Sequence, residues 1–173
     1  MIRYIFMSIF MAASFSSQAE QTCDYSYDEF IKQATTVFNA FGQDMQIVDE
    51  MPHGETRKGA VYYRRPLPYL MEFYFDWGQD GQNDGIFFIG ASLHDKSFFT
   101  IGSSEPQRFF SEQLFGCYNS ETKQLIFKND ENNLKAVLDF SIDSIVSLRS
   151  YYREKNEAQW LRSSGVQKFI IEN

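Results

Sequence analysis

Histidine, cysteine, proline and glycine are scarce in this chain of 173 residues, and each scarcity excludes a class of protein. The sequence has 2 histidines, 2 cysteines, 4 prolines and 10 glycines. So few glycines and prolines exclude a collagen-like or low-complexity chain. Two histidines without an H-x-x-x-H pair argue against a zinc site. The G-x-S-x-G element typical of serine hydrolases is also absent from the sequence.

Basic residues are outnumbered by acidic ones. The chain has 16 lysines and arginines against 23 aspartates and glutamates, which gives a formal net charge of -7. This balance repels nucleic acids and anionic membrane surfaces, so we predict no nucleic-acid partner. The content of 43% hydrophobic and 17% aromatic residues is too high for a disordered chain and predicts a globular protein with a packed core.

The N-terminus has the three parts of a secretory signal peptide. Arg3 precedes an apolar run from Tyr4 to Phe15, and the small residues Ser17 and Ala19 follow it. The run is shorter than the roughly 20 apolar residues that span a bilayer. We therefore predict that residues 1–19 are a signal peptide cleaved after Ala19. Residues 20–173 would then form a single globular domain, periplasmic or secreted, without a stable membrane anchor.

Cys23 and Cys117 both remain in the predicted mature chain. An even number of cysteines in an exported protein indicates a disulfide bond. Two buried free thiols are the alternative.

Hydrophobic periodicity predicts a helix followed by strands. Ser26 and Glu29 form a capping box, and the apolar residues after them recur at helical spacing as far as Gly42, a helix stop. Between residues 60 and 103 the period changes to two, which is typical of strands.

Two further helices are predicted in the second half of the chain. One spans residues 104–116, and the other runs from about 142 to 163, where Ile142, Ile145 and Leu148 recur at helical spacing. Short connections favour antiparallel pairing of the strands. The predicted fold class is therefore α+β, with a mostly antiparallel sheet of five to seven strands and about three helices packed on one face.

The alternating segment around residue 74 is the first candidate for a partner-binding surface. Glu72, Tyr74 and Asp76 alternate with the apolar residues Phe73 and Phe75, so they are expected to face away from the core. A tyrosine between two carboxylates is a rigid anchor flanked by negative charge, which suits a basic groove.

Arginines and aromatic residues extend this candidate surface. Tyr62, Arg64 and Arg65 are close in sequence, and both residue types are enriched at protein interfaces. A solvated edge strand is the alternative. Adjacent aromatic pairs such as Phe87-Phe88 must point to opposite faces of a strand, and an exposed aromatic patch is typical of a binding surface.

An acidic loop resembles the first half of an EF-hand-type calcium loop. Asp80, Gln82 and Asp84 stand at ligand positions one, three and five of such a loop, and Gly85 follows at the position of the required turn. Ala91 stands at the twelfth position, where such a loop needs a glutamate. We therefore predict no cofactor, with calcium as a weak alternative.

These features predict a binding protein. We expect an exported soluble protein, a periplasmic inhibitor or immunity protein, whose partner is a protein such as a basic toxin or enzyme. The alternative is a secreted enzyme with a carboxylate or calcium-dependent site near Glu72, Asp76 and Asp80.

Overall fold

The computed structural model describes residues 23–42, 44–102, 113–155 and 157–171. Within these ranges the chain forms one helix and ten strands. They are α1 (Tyr27–Asn39), β1 (Asp44–Glu50), β2 (Thr56–Leu67), β3 (Leu70–Asp76), β4 (Gly85–Ser92), β5 (Ser97–Gly102), β6 (Leu114–Asn119), β7 (Gln124–Asn129), β8 (Leu134–Ile142), β9 (Ile145–Tyr152) and β10 (Leu161–Ile171).

The ten strands form a closed antiparallel β-barrel. Each strand pairs with its successor in sequence, and β10 pairs with β1 to close the ring. The closing ladder has six residue pairs, from Met45 opposite Ile171 to Glu50 opposite Val166. Closure gives each of the ten described strands a partner on both sides, so none of them is an edge strand of the ring.

Tight turns explain why strands that are consecutive in the sequence are adjacent in the barrel. Three connections are four-residue turns whose last residue, Lys96, Lys123 or Asn133, has a left-handed φ of 51, 52 or 54°. The side chain at the end of the preceding strand caps such a turn. The Asn119 side-chain oxygen, for example, accepts a hydrogen bond from the Thr122 N–H at 3.0 Å. Turns of this length connect only adjacent antiparallel strands.

The predicted first helix is confirmed as α1. The Ser26 side chain accepts a hydrogen bond from the Glu29 N–H at 3.2 Å, which caps the helix. Phe30, Ala34 and Val37 lie on one face and are fully buried. In the described part of the chain, no helix combines the length and the hydropathy that crossing a membrane requires.

Helix α1 fills one end of the barrel, which we call the helix end. A ten-stranded barrel is wider than an eight-stranded one, whose own side chains just fill it. Aromatic side chains of α1 and of the residues directly after it occupy the additional space: the Phe30 and Phe98 ring centroids are 5.4 Å apart, and those of Phe41 and Phe73 are 4.9 Å apart. The core is therefore continuous from the helix into the barrel.

The predicted disulfide between Cys23 and Cys117 is confirmed, and it joins the segment before α1 to β6. Two hydrogen bonds support this attachment. The Tyr25 hydroxyl donates to the Tyr118 carbonyl oxygen, and the Lys96 ammonium donates to the Tyr25 carbonyl oxygen. Burial raises the pKa of Tyr25 to about 12. The disulfide agrees with a location outside the cytoplasm, where such bonds persist.

The predicted α+β class is wrong. The sheet has ten strands and not five to seven, and one helix is present in the described ranges where about three were predicted. Of the predicted second helix, residues 104–112 lie outside the described residues, and Leu114 begins strand β6.

The predicted third helix is also wrong, because residues 145–152 form β9. Ile142, Ile145 and Leu148 recur at a spacing of three by coincidence. The residues that face the barrel interior are Val146, Leu148 and Ser150, which alternate with period two. The segment also contains β-branched and tyrosine residues, which favour strands over helices.

We expect the double variant Cys23→Ser/Cys117→Ser to lose about 2–4 kcal/mol of unfolding free energy, because the bond closes a long loop in the unfolded chain. Denaturation in urea under non-reducing conditions measures the loss. Equal stability of variant and wild type, or two alkylatable thiols in the unreduced wild type, would contradict the disulfide's role.

Candidate interaction surface

The outer wall of the barrel carries an apolar surface on one side. In each strand one set of side chains faces the interior and the alternate set faces outward. On β3 to β7 the outward set is largely apolar and partly exposed. We call it the outer apolar face, and it consists of Tyr74, Ile86, Phe88, Phe99, Ile101, Phe115 and Ile126.

Strand register makes the outer apolar face continuous. Tyr74 on β3 lies opposite Ile86 on β4, and Phe88 on β4 lies opposite Ile101 on β5. Directly opposite side chains of an antiparallel pair have Cβ atoms about 5 Å apart. These side chains are therefore direct neighbours across the strands and belong to one surface.

A glycine allows an aromatic ring to lie flat on this wall. A Cβ atom added to Gly90 would come within 2.0 Å of the Phe99 ring, so the ring occupies the space above the glycine. Phe99 itself lies opposite Phe115 on β6. The two rings continue the face from β5 to β6, and Gly90 is required for this arrangement.

The opposite wall has a different character. Its outward positions carry ion pairs, such as the one between the Lys168 ammonium and the Glu50 carboxylate at 2.5 Å. The Arg149 guanidinium lies 3.7 Å from the Asp139 carboxylate. In the strand order, β10 stands five strands from β5 in both directions. Outward positions on this wall thus mix ion pairs with apolar side chains, whereas those of β4 to β6 carry no charge in the described range.

Four of the predicted partner-binding residues meet at the border of the outer apolar face. The Arg64 Nε–H donates to the Glu72 carboxylate, and the Tyr74 hydroxyl donates to the same carboxylate oxygen at 2.8 Å. These hydrogen bonds lower the pKa of Glu72. Tyr62 lies opposite Tyr74 and is 57% exposed. The sequence-predicted surface is therefore continuous with the apolar one.

The other two predicted residues are placed elsewhere. Asp76 is only 2% exposed, and its carboxylate accepts hydrogen bonds from the N–H groups of Asp80 and Gly81. Arg65 donates to the Pro68 carbonyl oxygen at 2.7 and 2.9 Å and braces the turn after β2. Asp76 organises a loop and Arg65 organises a turn.

The carboxylates of the acidic loop accept hydrogen bonds from backbone N–H groups of the same loop. The Asp80 carboxylate accepts from the Gln82 N–H at 2.9 Å, and the Asp84 carboxylate accepts from the Trp77 N–H at 2.7 Å. Among the residues that the structure describes, no three histidine, cysteine or acidic side chains are grouped as a metal site requires. The expectation of no cofactor, with calcium as the alternative, stays a prediction.

No family model, no curated protein and no solved structure matches this chain. Its function has to be inferred from its own geometry. The sequence analysis singled out none of the three isoleucines of this face, Ile86, Ile101 and Ile126. Alternation with the buried residues Phe87 and Ile89 was the signal that could have found Ile86.

The adjacent pair Phe87 and Phe88 tests the assignment of inner and outer positions. Phe87 is 1% exposed in the core, so Phe87→Ala should lower the unfolding free energy by about 3–5 kcal/mol. Phe88 faces outward, so Phe88→Ala should cost about 1 kcal/mol or less. Urea denaturation of both variants gives the comparison. Equal losses, or a larger loss for Phe88→Ala, would contradict the assignment.

Proposed function

We propose that this chain is an exported binding protein, an inhibitor or immunity protein that occupies a basic toxin or enzyme in the periplasm. The observation that supports the proposal is the outer apolar face. Soluble monomers rarely expose a continuous apolar patch of this kind unless it contacts a partner. At β4 to β6, in the described range, the outward positions include no charged side chain.

The composition of the face matches the centre of a protein interface. Interface centres are depleted in charge and enriched in aromatic residues, and the face contributes Tyr74, Phe88, Phe99 and Phe115. A single aromatic or aliphatic side chain that becomes fully buried contributes roughly 1.5–3 kcal/mol. A few such anchors are enough for stable binding after the entropic cost of association is met.

The acidic net charge of the chain supports the proposal of a basic partner. The net charge of -7 attracts cationic proteins at long range. Exposed carboxylates of Asp80 and Asp84 lie in the loop between β3 and β4, next to the face, and Glu121 is exposed in the turn after β6. Complementary charge of this kind accelerates association and disfavours acidic competitors.

The scaffold suits occupation of an enzyme or toxin surface. A closed barrel with a disulfide-anchored helix presents the face on paired strands, so little conformational entropy is lost on binding. The alternative of a secreted enzyme has less support. Glu72 is held by Arg64, and Asp76 is buried against the N–H groups of its own loop, so neither carboxylate is free to act as a general acid or base.

Photo-crosslinking tests the proposal. A photoreactive phenylalanine analogue replaces Phe88 on the face, and in a control protein it replaces Tyr151, an outward aromatic residue on β9. We expect position 88, and not position 151, to crosslink a basic protein in periplasmic extract of the source organism. Activity of the captured protein is then assayed with and without the unmodified binding protein, which should inhibit it.

A matched pair of isoleucines provides the energetic control. Ile101 and Ile170 are both outward and partly exposed, on β5 and β10. Ile101→Ser should weaken binding to the captured protein at least about tenfold, which corresponds to about 1.4 kcal/mol. Ile170→Ser should leave the affinity unchanged. Equal effects of the two substitutions, or crosslinking from both positions, would overturn the proposal.

A further inference from the structure

The end of the barrel opposite α1, which we call the mouth, is lined by polar side chains. It lies at the turns 51–55, 77–84 and 130–133. Four buried polar residues face the interior there, and the two most buried are Ser150 at 4% and Asp49 at 5% exposure. The full set is Asp49, Asn129, Ser150 and Gln167. The interior thus changes from aromatic at the helix end to polar at the mouth.

Register brings a charged pair and an amide together at the mouth. Asp49 on β1 lies opposite Gln167 on β10 and opposite Arg57 on β2. The Asp49 carboxylate is hydrogen-bonded to the Gln167 side chain, while burial raises its pKa. The second carboxylate oxygen, Oδ1, is buried and has no hydrogen-bond partner among the described residues.

Trp77, which directly follows β3, completes the group. The Arg57 guanidinium carbon lies 4.6 Å from the centre of the Trp77 ring. Gly59 lets Trp77 pack against β2, because a Cβ atom there would lie 3.0 Å from the ring. The indole Nε1–H is buried and, within the described ranges, lacks a hydrogen-bond acceptor. Trp77 itself is 5% exposed.

Two buried polar atoms of opposite type therefore stand without partners at one end of the barrel. In the described ranges a third such atom exists, Gln33 Oε1, on α1. Leaving a buried polar atom unpaired costs about 1–3 kcal/mol, and such groups in the mouth of a barrel are typical of a ligand site. The mouth holds both a donor and an acceptor of this kind, whereas the helix end holds the single acceptor on α1 among aromatic side chains.

We propose that the mouth binds a small neutral polyhydroxyl compound, such as a monosaccharide, through Asp49, Arg57, Trp77 and Gln167. The ligand has to donate a hydrogen bond to Asp49 Oδ1 and accept one from Trp77 Nε1. A carboxylate ligand would be repelled by Asp49, and an ammonium would leave the indole N–H without an acceptor. A hydroxyl both donates and accepts, and neighbouring hydroxyls match the paired donors of Arg57 and the amide of Gln167.

The strand order places the three side chains side by side on one wall of the barrel. Asp49 on β1 and Trp77, which directly follows β3, flank β2, so their backbones are at least about 10 Å apart, two strand spacings. Arg57 on β2 lies between them, opposite Asp49 and over the Trp77 ring. This site lies inside the barrel and is separate from the outer apolar face, so either can be altered without the other.

Indole NMR tests the proposal with an internal control. The chain has 2 tryptophans, so ¹⁵N-tryptophan labelling gives two indole N–H signals. Trp160 lies in the connection between β9 and β10 and packs against Lys135 and Arg153. Glucose, galactose, mannose, ribose and glycerol are each added at about 10 mM, above a weak Kd of about 1 mM. At least one of these compounds should shift the indole N–H signal of Trp77 and leave that of Trp160 unchanged.

Asp49→Asn is the decisive variant, because it keeps the size of the side chain and removes the charged acceptor. It should weaken binding of the responding sugar at least tenfold while the barrel remains folded, as the unchanged Trp160 signal reports. The Glu50→Gln variant changes the outward-facing carboxylate next to Asp49 in sequence. It should bind the responding sugar as the wild type does. The proposal is overturned if no compound shifts Trp77, which would mean that water alone occupies the site. It is equally overturned if acetate or methylamine produces the shift instead, or if Asp49→Asn binds as the wild type does.

Discussion

Pairing of the first strand with the last is the interaction on which the rest of the structure depends. The ladder between β1 and β10 joins residues that are more than a hundred positions apart in sequence, and it turns a meander into a ring. A ring has a definite interior, so each strand residue faces either inward or outward. A ring of ten strands is also too wide for its own side chains at the helix end, which is why α1 packs there and why a disulfide next to it is useful.

Closure also separates the two surfaces to which we assign binding. The outer apolar face exists because outward positions on β3 to β7 carry aromatic and branched side chains, whereas those near β10 carry ion pairs such as Glu50 with Lys168. The mouth exists because Asp49 shares the inward side of β1 with Met45 and Ile47. A charged residue on the apolar side of a strand is costly unless a partner or a ligand compensates it. The same alternation therefore produces both the outer apolar face and the polar mouth, the two surfaces for which we propose binding.

Local features were predictable from the sequence, and long-range ones were not. The Ser26 cap and the apolar stripe of α1 lie within four helical turns, so pattern alone identifies that helix. The prediction of a third helix was wrong because the spacing of Ile145 and Leu148 fits a helix but is also compatible with a strand, in which Ile145 faces outward and Leu148 inward. The border of the outer face was predictable from alternation around residue 74. The mouth was not, because Asp49 and Gln167 become neighbours only when the ring closes.

Nuclear Overhauser contacts between β1 and β10 test the closed barrel most directly. The register places Val48 opposite Lys168 and Ile47 opposite Phe169. In a closed barrel these pairs show backbone contacts between the two strands, because directly opposite α-carbons are about 4.5–5.5 Å apart. The account predicts both contacts, together with those of β1 to β2 on its other side. Contacts of β1 to β2 alone, with no contact from residues 47 and 48 to 168 and 169, would show an open sheet and contradict it.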